Sequence, residues 1–191
     1  MKKIEKSIEL GGRTLTLSTG HVAAQASGAV VASYGETVVL ATVVSSPIIE
    51  DKGYFPLTVE YMEKLYAGGK IKGSRWVKRE GRPTDDEILT ARLVDRTIRP
   101  LFPKDYKMEV QVIITVLSVD LKNTPDVVAG CCVSAALSIS PIPWNGPIGT
   151  VRIGLEDGKL VVNPENGNRD GVDLDLVGSS TEKLVPMIEA G

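Results

Sequence analysis

Positive charge is strongly local in this chain, because 12 of its 22 Lys and Arg residues lie between residues 60 and 107. The chain as a whole carries a net charge of −2. Four glycines stand among these cations, and glycine lets a backbone adopt positive φ and approach a partner closely. They are Gly68, Gly69, Gly73 and Gly81. A basic, glycine-rich loop in an otherwise acidic chain favours binding of an anion, and phosphate is the simplest candidate.

One aromatic residue lies in the middle of this loop. Trp76 is flanked by Arg75, Lys78 and Arg79. A flat aromatic face can stack on a base, and fixed cations can hold a phosphate backbone. The combination is typical of a surface that binds single-stranded nucleic acid.

A helix is predicted directly after the loop. Thr84 and Glu87 have the spacing of a capping box, in which each side chain accepts the backbone N–H of the other residue. The helix should run from about Asp85 to Ile98, because Pro100 cannot continue it. The loop therefore leads into a rigid element.

Three arginines of this helix share one face. At 100° per residue, Arg92, Arg96 and Arg99 fall within an arc of about 60°. They could bind an anion, or they could form a solvated face paired with carboxylates such as Asp95. The basic loop before the helix favours the first interpretation.

The remaining chain reads as mixed strands and helices. Hairpins are predicted about Gly11-Gly12 and Asp157-Gly158, and a strand over VVLATVVSS. Residues 109–119 form a nearly continuous apolar run, which predicts a strand buried on both faces at the sheet centre. Pro125 begins an apolar, buried helix that ends before Pro141. The class is therefore α+β with a mixed β-sheet and packed helices.

Other chemistry is weakly supported. Cys131 and Cys132 are adjacent, and with His21 distant they form no recognisable metal set, so we expect buried thiols in a helix. Asp173 and Asp175 share a strand face and are the sole carboxylate pair considered for magnesium, although a solvated face explains them equally well. No secretion signal or run of roughly 20 apolar residues is present, so a cytoplasmic location without membrane contact is expected.

Several runs closely resemble the first RNase PH-like domain of the bacterial polynucleotide phosphorylase family. They occur in the family's order and spacing along essentially the whole chain. The matching runs are YAGGKIKGS, REGRP, IL, RL, DR, IRPLFP, EVQV, NTPD, SAALS and NGPIG.

The resemblance implies a ribosomal protein S5 domain 2-like fold with a βαβα core. It implies a 3′–5′ phosphorolytic exoribonuclease, a polyribonucleotide nucleotidyltransferase that uses inorganic phosphate and Mg²⁺ to release nucleoside diphosphates in mRNA turnover. Single-stranded RNA, a homotrimeric ring and RNA-degradation proteins are the implied partners.

The resemblance also assigns roles to individual residues. The family's RNA-gripping stretch falls on Trp76, Val77, Lys78 and Arg79, and Arg82 follows it. Val77 stands where the family has an aromatic residue, and Lys78 replaces an arginine, which removes a bidentate phosphate donor. Arg92, Arg96 and Arg99 match arginines that serve the phosphate side of the site or pack between domains. The family's catalytic and metal residues belong to a second domain, so none is expected here.

The resemblance divides the chain into a first RNase PH-like domain over residues 1–180 and the start of a helical linker over residues 181–191. The run STEKLVPMIEAG begins with a Ser/Thr cap signal, which predicts a helix and a chain that continues. As the N-terminal part of such an exoribonuclease, the chain would contribute RNA binding and ring assembly and would have no exoribonuclease activity alone. A non-catalytic RNA-binding or ring-structural subunit is the alternative, and a complete RNase PH acting on transfer RNA is a weaker one.

Overall fold

The computed structural model describes residues 2–48, 53–71, 82–156, 158–165 and 174–190. Within these ranges the secondary structure comprises β1 Ile4–Leu10, β2 Arg13–Thr19, β3 Gly28–Tyr34, β4 Thr37–Pro47, β5 Leu57–Glu63, α1 Asp85–Ile98, β6 Met108–Ser118, α2 Pro125–Ile139, β7 Gly149–Glu156, β8 Lys159–Val162, β9 Asp175–Ser180 and β10 Met187–Ala190. Two short 3-10 turns, Leu65–Gly68 and Arg99–Leu101, follow β5 and α1 respectively.

The strands form two sheets. The larger has the order β1-β2-β3-β4-β6-β5, antiparallel throughout except that β5 runs parallel to β6. The smaller is antiparallel with the order β10-β9-β7-β8. The succession β5-α1-β6-α2 is the βαβα order that the resemblance implied. Both the α+β class and the mixed sheet with packed helices are confirmed, as are the two predicted hairpins, β1-β2 and β7-β8.

Helix α2 lies between the two sheets and contacts β3, β4 and β7. Gly130 allows the close approach to β7, since a Cβ there would lie 2.8 Å from Thr150 Cβ. Cys131 and Cys132 are free thiols, and burial raises the pKa of Cys132 to about 12. The prediction of an apolar, buried helix is confirmed, and of the two cysteines expected to be buried Cys132 is buried and Cys131 is partly buried.

Strand β6 differs from its prediction in two ways. It lies second from the edge of the larger sheet, because the β1-β2 hairpin extends the opposite side. One face is fully buried, with Val110, Val112 and Ile114 each 0% exposed, whereas Gln111 on the other face is exposed. The helices cover one face of this sheet, so β-branched side chains on the other face remain half-buried.

The C-terminal end of the described chain is a strand, and the helix predicted over residues 181–191 is wrong. The cap signal is present, because Thr181 Oγ1 accepts the N–H of Leu184 at 3.0 Å. Pro186 follows too soon for a helical turn to continue, since it has no N–H and its ring clashes with the preceding turn. Residues Met187–Ala190 instead pair with β9 as β10.

Asp120 connects the β3-β4 turn to the segment before α2. Its carboxylate accepts the backbone N–H of Glu36 at 3.0 Å and of Asn123 at 2.7 Å, and the hydroxyl of Thr37 at 3.1 Å. Burial opposes its charge, but the hydrogen bonds from Asn123, Lys122 and Glu36 lower the pKa of Asp120 to about 2. This carboxylate therefore stabilises the fold in its ionised form.

Among the described residues, neither helix has the length and apolar character needed to cross a bilayer.

Candidate nucleic-acid interface

The predicted RNA-gripping residues Trp76, Val77, Lys78 and Arg79 belong to residues 72–81, which lie outside the described residues. We call residues 72–81 the basic loop. Arg82 is described and is exposed just after the loop. What the structure adds is how the two ends of the basic loop are held.

The incoming end is fixed by the 3-10 turn Leu65–Gly68. Ala67 is 7% exposed, and its carbonyl accepts the N–H of Val119 at 3.0 Å. Gly69 ends the turn in the left-handed conformation with φ of 70°, which favours glycine. The chain then leaves the core, and Ile71 at the entrance of the basic loop is 93% exposed.

The outgoing end is fixed by the predicted capping box, which is confirmed. Thr84 Oγ1 accepts the N–H of Glu87 at 3.2 Å, and the Glu87 carboxylate accepts the N–H of Thr84 at 2.7 Å. Glu87 also accepts the N–H of Glu63, the last residue of β5, at 2.7 Å. A single carboxylate thus ties the strand before the basic loop to the helix after it.

The three arginines of the predicted stripe have different environments. Arg99 makes the most hydrogen bonds of the three. Its guanidinium donates to Asp95 at 2.6 and 2.8 Å, to the carbonyl of Phe55 at 3.1 Å and to that of Leu57 at 3.1 Å. Arg99 therefore joins the end of α1 to the start of β5 and has little donor capacity left for a ligand. The carboxylate-paired alternative holds for this residue.

Arg96 and Arg92 are exposed. Arg96 donates to Glu189 of β10, and both side chains of this pair are more than half exposed, at 56% and 51%. Such a pair contributes little stability, typically about 0 to 1 kcal/mol. Arg92 makes no ion pair or hydrogen bond with another residue of the described ranges. These two side chains can therefore reach a phosphate, whereas Arg99 cannot do so without leaving its partners.

Arg92 and Arg96 line a groove of about 750 Å³ between β5 and α1. Val59, Tyr61 and Ile88 contribute apolar surface to it. Burial and a 2.7 Å hydrogen bond to Glu63 raise the pKa of Tyr61, so its hydroxyl stays protonated. Carboxylates are present as well, on Glu60, Glu87 and Asp95. The groove is thus a mixed-charge surface that begins at the end of the basic loop.

An ion-pair cluster around the buried Arg152 was missed by sequence reasoning. Arg152 is 9% exposed and donates to Asp126 at 2.6 Å and to Asp175 at 2.6 Å. Burial opposes its charge, but these carboxylates raise the pKa of Arg152. The available signal was alternation in β7, where Thr150 and Arg152 share the inward face.

The cluster contains one of the two carboxylates considered for magnesium. Asp175 is occupied by Arg152, and Asp173 lies outside the described residues. No group of three or more His, Cys, Asp or Glu suited to a metal ion occurs in the described part of the chain. The described residues therefore do not fit a Mg²⁺ site.

The family follows from comparison with known proteins. The sequence profile of RNase PH, described as the 3′ exoribonuclease family, domain 1, matches residues 11–143. The chain belongs to this family. The match includes the basic loop, α1, β6 and α2, and it contains every run that carried the resemblance except NGPIG.

Curated relatives match almost the full chain. The polyribonucleotide nucleotidyltransferase of Roseiflexus sp. (strain RS-1) is 55% identical over 186 residues, which is 97% of this chain and 25% of that protein. The one from Pelagibacter ubique (strain HTCC1062) is 51% identical over 190 residues, 99% of this chain and 27% of that protein. The chain therefore spans about a quarter of the length of these relatives.

Solved structures of low sequence identity share the fold. Rice (Oryza sativa) Rrp46 superposes with a TM-score of 0.75 at 18% identity, covering 96% of this chain and 81% of that one. A chain of the Archaeoglobus fulgidus exosome with RNA bound to the active site gives 0.68 at 16% identity, covering 100% and 77%. They confirm the RNase PH-like fold.

Proposed function

We propose that this chain is the N-terminal, RNA-holding part of a 3′–5′ phosphorolytic exoribonuclease, a polyribonucleotide nucleotidyltransferase. The observation that carries the proposal is 55% identity to such an enzyme over 97% of the chain. The anchored basic loop and the exposed arginines of α1 give the assignment a physical basis.

The proposed reaction joins two anions. An oxygen of inorganic phosphate attacks the phosphorus of the terminal phosphodiester, the bond from that phosphorus to the 3′ oxygen of the penultimate nucleotide breaks, and a nucleoside diphosphate leaves. Cations must offset the repulsion between the phosphate and the RNA. Mg²⁺ would supply that stabilisation. Since the described residues do not fit a metal site, we assign Mg²⁺ and the attacking phosphate to another part of the enzyme.

In this proposal the basic loop holds the RNA strand. Trp76 stacks on a base, and stacking typically contributes about 1 to 3 kcal/mol per base. Lys78, Arg79 and Arg82 contact phosphates. Val77 provides no aromatic face, so Trp76 supplies the stacking surface alone.

The helix α1 continues this surface. Arg92 and Arg96 extend positive charge from the basic loop along the groove, toward the phosphate side of the site or toward a packed second domain. Arg99 acts differently from the stripe prediction, because it holds α1 against β5 and so positions the other two.

The proposed assembly is a homotrimeric ring in the cytoplasm, with single-stranded RNA as substrate and RNA-degradation proteins as further partners. In the same proposal, residues 1–180 form the first RNase PH-like domain and residues 181–191 lead to a further one. Strand β10 then closes the smaller sheet before the chain continues.

The test is product analysis with the complete enzyme. RNA labelled at its 3′ end is incubated with and without inorganic phosphate, and the released nucleotides are separated. The proposal predicts phosphate-dependent nucleoside diphosphates. Phosphate-independent release of monophosphates would mean hydrolysis and would contradict it, and no release at all would favour a non-catalytic ring subunit.

A further inference from the structure

A second cavity combines aromatic and basic side chains. It has a volume of about 500 Å³, and Tyr54, Tyr106, Lys104 and Lys107 contribute to its wall. We call it the Tyr54 pocket. No carboxylate side chain lines it among the described residues.

The aromatic wall of the pocket is rigid. Phe55 packs on Phe102 at 4.8 Å between ring centroids, and Tyr106 lies 6.0 Å from Phe55. The Tyr106 hydroxyl is 2.9 Å from the hydroxyl of Ser45. Arg99 lies 5.9 Å from the Phe55 ring centroid while it binds the Phe55 carbonyl. The wall is therefore held in place before any ligand arrives.

Tyr54 is the exposed member of this set. It is 65% exposed, next to the aromatic cluster in which Phe102 is buried and Phe55 and Tyr106 are partly buried. A large exposed aromatic face beside cations favours a planar, anionic ligand. Lys104 is exposed and forms no ion pair or hydrogen bond within the described ranges, so its ammonium can reach an anion.

The pocket lies at one end of β5, and the turn that leads to the basic loop lies at the other end. The pocket adjoins Leu57, the first residue of β5, and the 3-10 turn Leu65–Gly68 comes after Glu63, its last residue. Seven residues of extended strand place these ends about 20 Å apart.

We propose that the Tyr54 pocket is a nucleotide site, with the base stacked on Tyr54 and the phosphate held by Lys104. The ligand is either a free nucleotide or one nucleotide of an RNA strand, since both present a planar base and a phosphate. The site does not depend on the proposed exoribonuclease activity, and its test needs no catalysis.

The experiment titrates the chain with AMP and follows the tyrosine ring signals by NMR. The signals of Tyr54 and Tyr106 should shift, and Tyr54→Ala should weaken AMP binding about tenfold through lost stacking. Tyr54→Phe keeps the ring and should restore affinity. Lys104→Glu should weaken binding of AMP more than binding of adenosine, which lacks the phosphate.

Lys159→Glu on β8 is the matched control, because it makes the same charge change on the smaller sheet. The proposal is overturned if AMP leaves the Tyr54 signals unchanged, or if Lys159→Glu weakens AMP binding as much as Lys104→Glu does. A Lys78/Arg79/Arg82 triple alanine variant should still bind AMP at the pocket, which separates this proposal from the basic loop.

Binding of a 20-nucleotide RNA shows whether the ligand of the pocket is a free nucleotide or one nucleotide of an RNA strand. If Tyr54→Ala weakens RNA binding as well as AMP binding, the pocket holds a nucleotide of the strand. If RNA affinity is unchanged while AMP affinity falls, the pocket binds free nucleotides.

Discussion

Replacing Arg99 and Arg92 separately by alanine tests whether the arginine stripe has two distinct roles. Arg99 donates to two carbonyls at the start of β5 and to Asp95. Its side chain is 41% exposed, so each interaction is screened by solvent. The three interactions together should contribute about 2 to 3 kcal/mol to the free energy of unfolding.

For a domain of this size, that loss lowers the melting temperature by about 4 to 10 °C. Arg92→Ala removes an exposed side chain without a described partner and should change the free energy of unfolding by less than about 0.5 kcal/mol. Arg99→Lys should fall between wild type and Arg99→Ala, because one ammonium cannot span two carbonyls and a carboxylate.

The assay is urea unfolding followed by circular dichroism, combined with RNA binding across a salt series. Arg92→Ala should reduce the salt slope of RNA binding by about 0.7 while leaving stability intact. Equal stability of Arg99→Ala and wild type would refute the assignment of Arg99 as a structural clamp. An Arg92→Ala variant as unstable as Arg99→Ala would refute the division of roles.

Three further predictions concern the fold and are all checked by chemical unfolding. Asp120 has its pKa lowered to about 2, so it stabilises the fold above the unfolded pKa and loses this as pH falls from about 4 toward 2. Asp120→Asn should therefore lower the free energy of unfolding by about 1 to 2 kcal/mol at pH 7, and the free energy of unfolding of the variant should depend less on pH between about pH 5 and pH 2. An unchanged pH dependence in this acid range would contradict the assignment. Arg152→Met should cost about 1 to 3 kcal/mol, since it leaves Asp126 without its partner while water screens the 42% exposed Asp175, and full stability would show that the cluster is solvated. Gly130→Ala should cost about 1 to 3 kcal/mol, because the new Cβ overlaps Thr150 of β7, and a neutral effect would mean that α2 moves freely away from β7.

Features encoded in neighbouring residues could be predicted from the sequence. The capping box of Thr84 and Glu87 and the proline after α1 place the helix, because both act within one turn. The glycines Gly11 and Gly12 likewise place the β1-β2 hairpin through the turn that they form themselves. The α+β class and the family resemblance follow from such elements in order, and the structure confirms them.

Features that depend on distant partners could not be predicted. The stripe of Arg92, Arg96 and Arg99 is correct as helix geometry, but only the packing of β5 shows that Arg99 is occupied. Nothing local to Asp175 indicates its ion pair with Arg152, which lies 23 residues earlier in the chain and reaches it because β7 pairs with β9. The predicted C-terminal helix failed because Pro186 stops the turn while the open edge of β9 offers backbone hydrogen bonds.

The proposed role of the basic loop in holding single-stranded RNA is tested by a salt series with a fluorescent RNA. The chain is compared with its Lys78/Arg79/Arg82 triple alanine variant. We expect steep salt dependence for wild type and a slope shallower by about 2 for the variant, since about 0.7 counterions are released per phosphate contact with a single strand. Equal affinity and equal slope for the two proteins, or no binding by either, would contradict it.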